Sequence, residues 1–77
     1  MYEYNICTQA DQDIFARQCA ALETAVSDLS QVNHLEDVDG SETKVYDCHG
    51  KRVEVHNDCY VDAVYVKSEI DLEPYFK

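Results

Sequence analysis

Apolar residues between positions 11 and 32 recur at the helical period. Phe15, Cys19, Leu22, Val26 and Leu29 follow one another at spacings of four, three, four and three, and Ile14, Ala21, Ala25 and Val32 widen the stripe on one side. Asp13, Arg17, Glu23, Thr24, Ser27, Asp28 and Gln31 fall on the opposite face. The spacing predicts one long amphipathic helix over about 11–32. Thr8 or Asp11 offers a cap at its start, and Asn33 offers a stop. Ahead of it, Tyr2, Tyr4 and Ile6 alternate with Glu3, Asn5 and Cys7, the period of a half-buried strand.

After the helix, Asn33 to Glu42 reads as an acidic connection turning at Gly40. From Thr43 the period returns to two. Gly50 predicts a three-residue hairpin loop inside Asp47–Lys51, which sets Val45 opposite Val53 and Lys44 opposite Glu54. A tighter loop would set Lys44 against Val55, a poorer pair. A second loop at His56-Asn57-Asp58 sets Val53 opposite Val61 and Arg52 opposite Asp62. Val45, Val53 and Val61 then make a row beneath the helix, continued by Ala63 and Tyr65, with Tyr2 and Tyr4 also facing the core. Tyr46, Tyr60, Val64 and Val66 point to the outer face. In the tail, 68–77, Ser68 caps a short turn that Pro74 ends, and Ile70, Leu72, Tyr75 and Phe76 dock over Val64 and Val66. The expected fold class is α+β, a single domain spanning 1–77. It is built β-α-β-β-β, with one long helix on one face of a four-stranded, mostly antiparallel sheet. The helical crossover implies a first strand parallel to its neighbour.

Charge changes the picture more than any motif does. The chain of 77 residues has a formal net charge of −10. That disfavours direct binding to nucleic acid or an anionic membrane and favours a basic partner. Residues 1–42 hold nine acids against Arg17 alone, whereas residues 43–77 hold seven acids against five bases. The sheet half balances itself; the helix half does not. Asp13, Glu23, Asp28, Glu36, Asp37, Asp39 and Glu42 are therefore the candidate partner-binding residues, expected along one flank. Solubility needs far less charge than this, and the self-repulsion weakens the fold. Met1 leads into Tyr2-Glu3-Tyr4 with no basic or apolar leader, and no run reaches membrane-spanning length. The expectation is a host cytoplasm, with Cys7, Cys19, Cys48 and Cys59 as free thiols.

Other chemistries find little in the sequence. Cys48, His49, His56 and Cys59 resemble a zinc set by composition, but five strand residues, roughly 17 Å, separate the two halves, too far for one tetrahedral ion. Asp37–Glu42 resembles a calcium loop but has its Gly at the fourth position and a strand following it. There is no phosphate-binding Gly loop, no nucleophile elbow and no metal-ligand helix. His49 beside Cys48 at a hairpin tip has nothing around it to exclude water. The expectation is a non-enzymatic protein with no cofactor and no metal.

A small, strongly acidic, catalytically bare α/β chain of this size resembles the inhibitors encoded by bacteriophages. Among them it is most similar to anti-CRISPR proteins of the DNA-mimic type. The resemblance lies in size, charge and layout over the whole chain. It implies a partner in a CRISPR surveillance complex, or another nuclease, whose basic DNA-binding groove is blocked in the bacterial cytoplasm. A nuclease immunity protein or antitoxin would share these features. A protein-interaction module would instead use the outer sheet face, with Tyr46 and Tyr60.

Overall fold

A computed structural model describes residues 2–75. The elements in chain order are β1 (Tyr2–Cys7), α1 (Gln12–Ala25), β2 (Leu29–Glu36), β3 (Glu42–Cys48), β4 (Lys51–Asp58), β5 (Ala63–Ser68) and a 3-10 turn at Glu73–Tyr75. The strands form one sheet in the order β1-β5-β4-β3-β2, antiparallel at every pairing. The α+β class holds, with five strands in place of four.

The helix starts where the sequence places it. Asp11 caps it, accepting from the backbone N–H groups of Asp13 at 2.9 Å and Ile14 at 3.2 Å. It ends seven residues early. Val26 is already extended (φ −108°, ψ 97°) and Ser27-Asp28 turn the chain into β2, so Leu29 and Val32 belong to a strand. Phe15, Cys19, Leu22 and Val26 are nonetheless the buried stripe. They pack over Tyr46, Cys48, Val53, Val55, Val64 and Val66, and Leu72 from the tail closes the same cluster. Ala21 and Ala25 are exposed.

The sheet register departs from the expected one, and each departure has a local cause. The β3–β4 loop has only two residues. His49 (φ 53°) and Gly50 (φ 82°) both take the left-handed conformation that a tight hairpin turn of this kind needs. Tyr46 therefore faces Val53, Val45 faces Glu54 and Lys44 faces Val55. Lys44 is tolerated on the helix side because its stem lies along the sheet while its ammonium reaches Glu23 at 3.5 Å. The β4–β5 loop is longer than expected, running 59–62, because the Asp58 carboxylate accepts from the N–H groups of Tyr60 and Val61. Val55 then pairs with Val66, and Asn57 with Val64.

Hence Val64 and Val66, not Ala63 and Tyr65, lie under the helix, and Val61 sits in an exposed turn. Tyr46 is buried beneath the helix rather than displayed on the outer face. Of the remaining tyrosines, Tyr4 packs against the core, Tyr2 is exposed and Tyr65 stacks on His56 on the outer face.

β1 lies beside β5 and antiparallel to it, which corrects the expected parallel neighbour. The strands joined by the helix, β1 and β2, do run the same way, but they form opposite edges of the sheet with three strands between them. In the tail, Leu72 is fully buried and Ile70 packs against the core beside Val64 and Val66, but on the helix side of the sheet rather than on the expected outer face. Ser68 Oγ accepts from Ile70 N–H and donates to Ile70 C=O, and Pro74 lies inside the closing turn rather than ending it. Phe76 falls outside the described residues.

Candidate binding surface: an acidic end of the sheet

Because the strands alternate in direction, the start of α1, the β2–β3 turn and the β4–β5 turn gather at one end of the sheet. Three hydrogen bonds tie them together. Ala10 N–H donates to Asp62 Oδ1 at 2.8 Å, Asp11 N–H to Asn57 Oδ1 at 3.1 Å, and Cys59 N–H to Ser41 Oγ at 2.9 Å. This end carries Asp11, Asp13, Glu36, Asp37, Asp39, Glu42, Asp58 and Asp62, half of the chain's sixteen acidic residues. No Lys or Arg among the described residues stands with them. The nearest bases inward are Arg17, one turn along the helix, and Lys44, engaged by Glu23. His34 is the one basic side chain at this end found within bridging distance of its carboxylates.

The aspartates of the turns are held by backbone N–H groups rather than by Lys or Arg. Asp39 accepts from Ser41 N–H at 2.9 Å, which holds its carboxyl below the usual aspartate range. Asp37 accepts from Val38 N–H, and its own N–H donates to Ser41 C=O at 2.8 Å. Gly40 (φ 91°) supplies the left-handed turn between them. The result is a tight turn in which Oδ1 of each aspartate accepts from the backbone. An open cleft of about 390 Å³ runs between the two turns, lined by Glu36, Asp37, Asp39, Glu42, Asp58 and Tyr60 among others. Apolar side chains stand out beside it: Tyr60 is 91% exposed and Val38 fully exposed, with Val61 next to Tyr60.

The structure therefore regroups the residues singled out from sequence. Asp13, Glu36, Asp37, Asp39 and Glu42 come together at this end. Glu23 and Asp28 do not. Glu23 accepts a hydrogen bond from the Tyr46 hydroxyl and pairs with Lys44; Asp28 pairs with His49 at 2.9 Å, at the far end of the sheet. Asp11, Asp58, Asp62 and Val38 join the surface without having been partner-binding candidates, and Tyr60, expected on the outer sheet face, joins it from the β4–β5 turn. The signal that could have found them is the Asn57-Asp58…Asp62 run read as one turn between two strands, which brings it to the same end as Asp37-Asp39.

The four residues of the zinc reading stay apart. Cys48 ends β3 and His49 begins the tight turn after it, while His56 and Cys59 lie toward the acidic end. His56 already bonds Thr43 Oγ1 at 3.0 Å and Glu54 at 2.9 Å. No helix of the described residues is long and apolar enough to cross a membrane. No family model, no curated protein and no solved structure matches this chain, so its functional surface rests on its own residues.

Proposed function

We propose that the protein is a non-enzymatic inhibitor whose acidic end docks on a basic, nucleic-acid-binding surface of another protein. A CRISPR surveillance complex is the leading target class. The observation that supports this is the gathering of eight carboxylates without one Lys or Arg at an end that also projects Val38 and Tyr60. Duplex DNA presents one charge per roughly 1.7 Å of axis, and a Lys/Arg groove shaped for that density would accept carboxylates in place of phosphates. An aromatic anchor amid charge is the composition of a binding hot spot. The acids would steer encounter, and the apolar side chains would slow release.

The test uses purified surveillance complexes and measures target-DNA binding with and without this protein. Wild type should block DNA binding, and the block should weaken as salt rises. Asp37→Asn, Asp58→Asn and Asp62→Asn together remove charge while keeping the oxygens that accept the turn hydrogen bonds. This variant should inhibit about tenfold less, equivalent to about 1.4 kcal/mol. Asp28→Asn, Asp47→Asn and Glu69→Gln, at the other end, should inhibit like wild type. Equal inhibition by both variants would remove the acidic end from the mechanism.

A further inference from the structure

The chain has three histidines, and among the described residues only His34 is found within 4.0 Å of two carboxylates. Its Nε2 lies 3.0 Å from Glu42 Oε2 and 4.0 Å from Glu36 Oε1, and one ligand atom of each residue falls within 4.8 Å of the others. His49 meets only Asp28, and His56 only Glu54. The geometry points to a binding site for a divalent transition-metal ion, with zinc as the representative, held by His34, Glu36 and Glu42.

A β-bulge creates the arrangement. The β2–β3 register shifts between Gln31 and Asn33. Without that extra residue His34 would face Thr43 on the outer side of the sheet. With it, His34 stands opposite Lys44 and Glu36 opposite Glu42, all on the helix side. Two glutamates directly across a ladder repel each other and are normally avoided. The adjacent Lys44 does not relieve them, since its ammonium sits 3.5 Å from Glu23. What lies between the two carboxylates is an imidazole nitrogen.

One nitrogen and two carboxylate oxygens suit zinc and its first-row neighbours. Donors around one tetrahedral ion at zinc distances stand about 3.3 Å apart. The separations here bracket that value and need only carboxylate rotation to meet it. β2 is exposed from Ser30 to Glu36, so the remaining coordination positions open to water. Magnesium and calcium prefer all-oxygen shells and more ligands than this site supplies. Imidazole ligates only when deprotonated, so binding would release protons and weaken in acid. The site stands whether or not the acidic end docks on a partner.

Zinc titrated into the reduced, full-length protein by calorimetry near neutral pH should bind with one equivalent. His34→Ala and the isosteric Glu42→Gln should each weaken it about tenfold or more, while His49→Ala should not. Circular dichroism checks that each variant is folded. Millimolar magnesium should fail to displace the zinc. Cobalt in its place should give visible bands without a thiolate charge-transfer band. Three results would overturn the assignment: unchanged affinity in both His34→Ala and Glu42→Gln, displacement of zinc by magnesium, or a cobalt–thiolate band that puts the ion on a cysteine.

Discussion

The two ends of the sheet are built from the same five strands, yet they solve opposite problems. At the end carrying the His49-Gly50 turn, connections are short and charges are matched. Asp28 meets His49 at 2.9 Å, Asp47 faces Arg52 across the ladder, and the Arg52 N–H donates to Glu69 at 2.7 Å while Glu69 N–H donates back to Arg52 C=O. The tail leaves β5 there and buries Leu72. At the other end the β2–β3 and β4–β5 loops are longer, the acids go unmatched by Lys or Arg, and Val38 and Tyr60 face solvent. One end closes the fold; the other carries carboxylates that serve its turns but concentrate more negative charge than turns require, beside apolar side chains the fold does not bury. In so small a domain, where stability is a few kcal/mol, such an expenditure needs a reason outside folding.

Truncating the apolar residue that each end presents should break this symmetry most sharply. Leu72 is fully buried against the core, and its N–H donates to the Tyr4 hydroxyl at 2.8 Å. Leu72→Ala should cost about 2–5 kcal/mol, a large fraction of the whole stability. Tyr60→Ala, at a side chain 91% exposed, should stay within about 0.5 kcal/mol. Chemical denaturation of the two variants measures both. A Tyr60 variant as damaged as the Leu72 variant would mean that the acidic end is structural.

Part of the outline was legible in the sequence, and neither end was legible in register. Asp11 as one of two cap candidates, the stripe of Phe15, Cys19, Leu22 and Val26, and the core position of Val53 follow from period and chemistry alone. β2 was hidden for a physical reason. Val26, Leu29 and Val32 keep the helical spacing by accident, and the bulge at Val32 breaks the alternation that would have marked a strand. An edge strand with almost every residue exposed also carries too little apolar pattern to be seen. The hairpin register failed on Lys44. Pairing rules disfavour a lysine opposite a valine, but they cannot know that a helix glutamate waits above it. Three of the eight acids at the acidic end, Asp11, Asp58 and Asp62, were missed as binding residues. Asp37 and Asp39 could be chosen by charge density, whereas Asp58 and Asp62 reach them only through the topology.

Between the two ends, the seam of Tyr46, Glu23 and Lys44 joins helix to sheet, and it gives the comparison a pH axis. Burial, and then the hydrogen bond to Glu23, push the Tyr46 hydroxyl well above the usual tyrosine range. Burial also raises Tyr65. A group with a raised folded pKa binds its proton more tightly when folded. Its contribution is fully present below the unfolded value, about 10, and is lost as pH rises above it. Wild-type stability should therefore fall steeply above pH about 10. Tyr46→Phe should cost about 1 kcal/mol at neutral pH through the lost hydrogen bond, yet show a shallower alkaline fall. Urea midpoints across pH 7–11 read both effects. Parallel curves would show that the Tyr46 proton is not coupled to folding.

The smallest effect bears most directly on the contrast, because it compares like charges at unlike ends. Asp37→Asn with Asp62→Asn removes two charges from the acidic end while preserving the oxygens that Val38 N–H and Ala10 N–H donate to. Asp28→Asn with Asp47→Asn removes two from the matched end, where one faces His49 and the other lies opposite Arg52. Relief of self-repulsion should stabilise the first variant by a few tenths of a kcal/mol at low salt, and loss of attraction should destabilise the second by about as much. Both differences should shrink as salt approaches about 1 M, where screening acts over only about 3 Å. The sign matters more than the size. If the first variant is the less stable of the two at low salt, the carboxylates of the acidic end hold the fold together through their turns. Their concentration would then reflect folding rather than a partner.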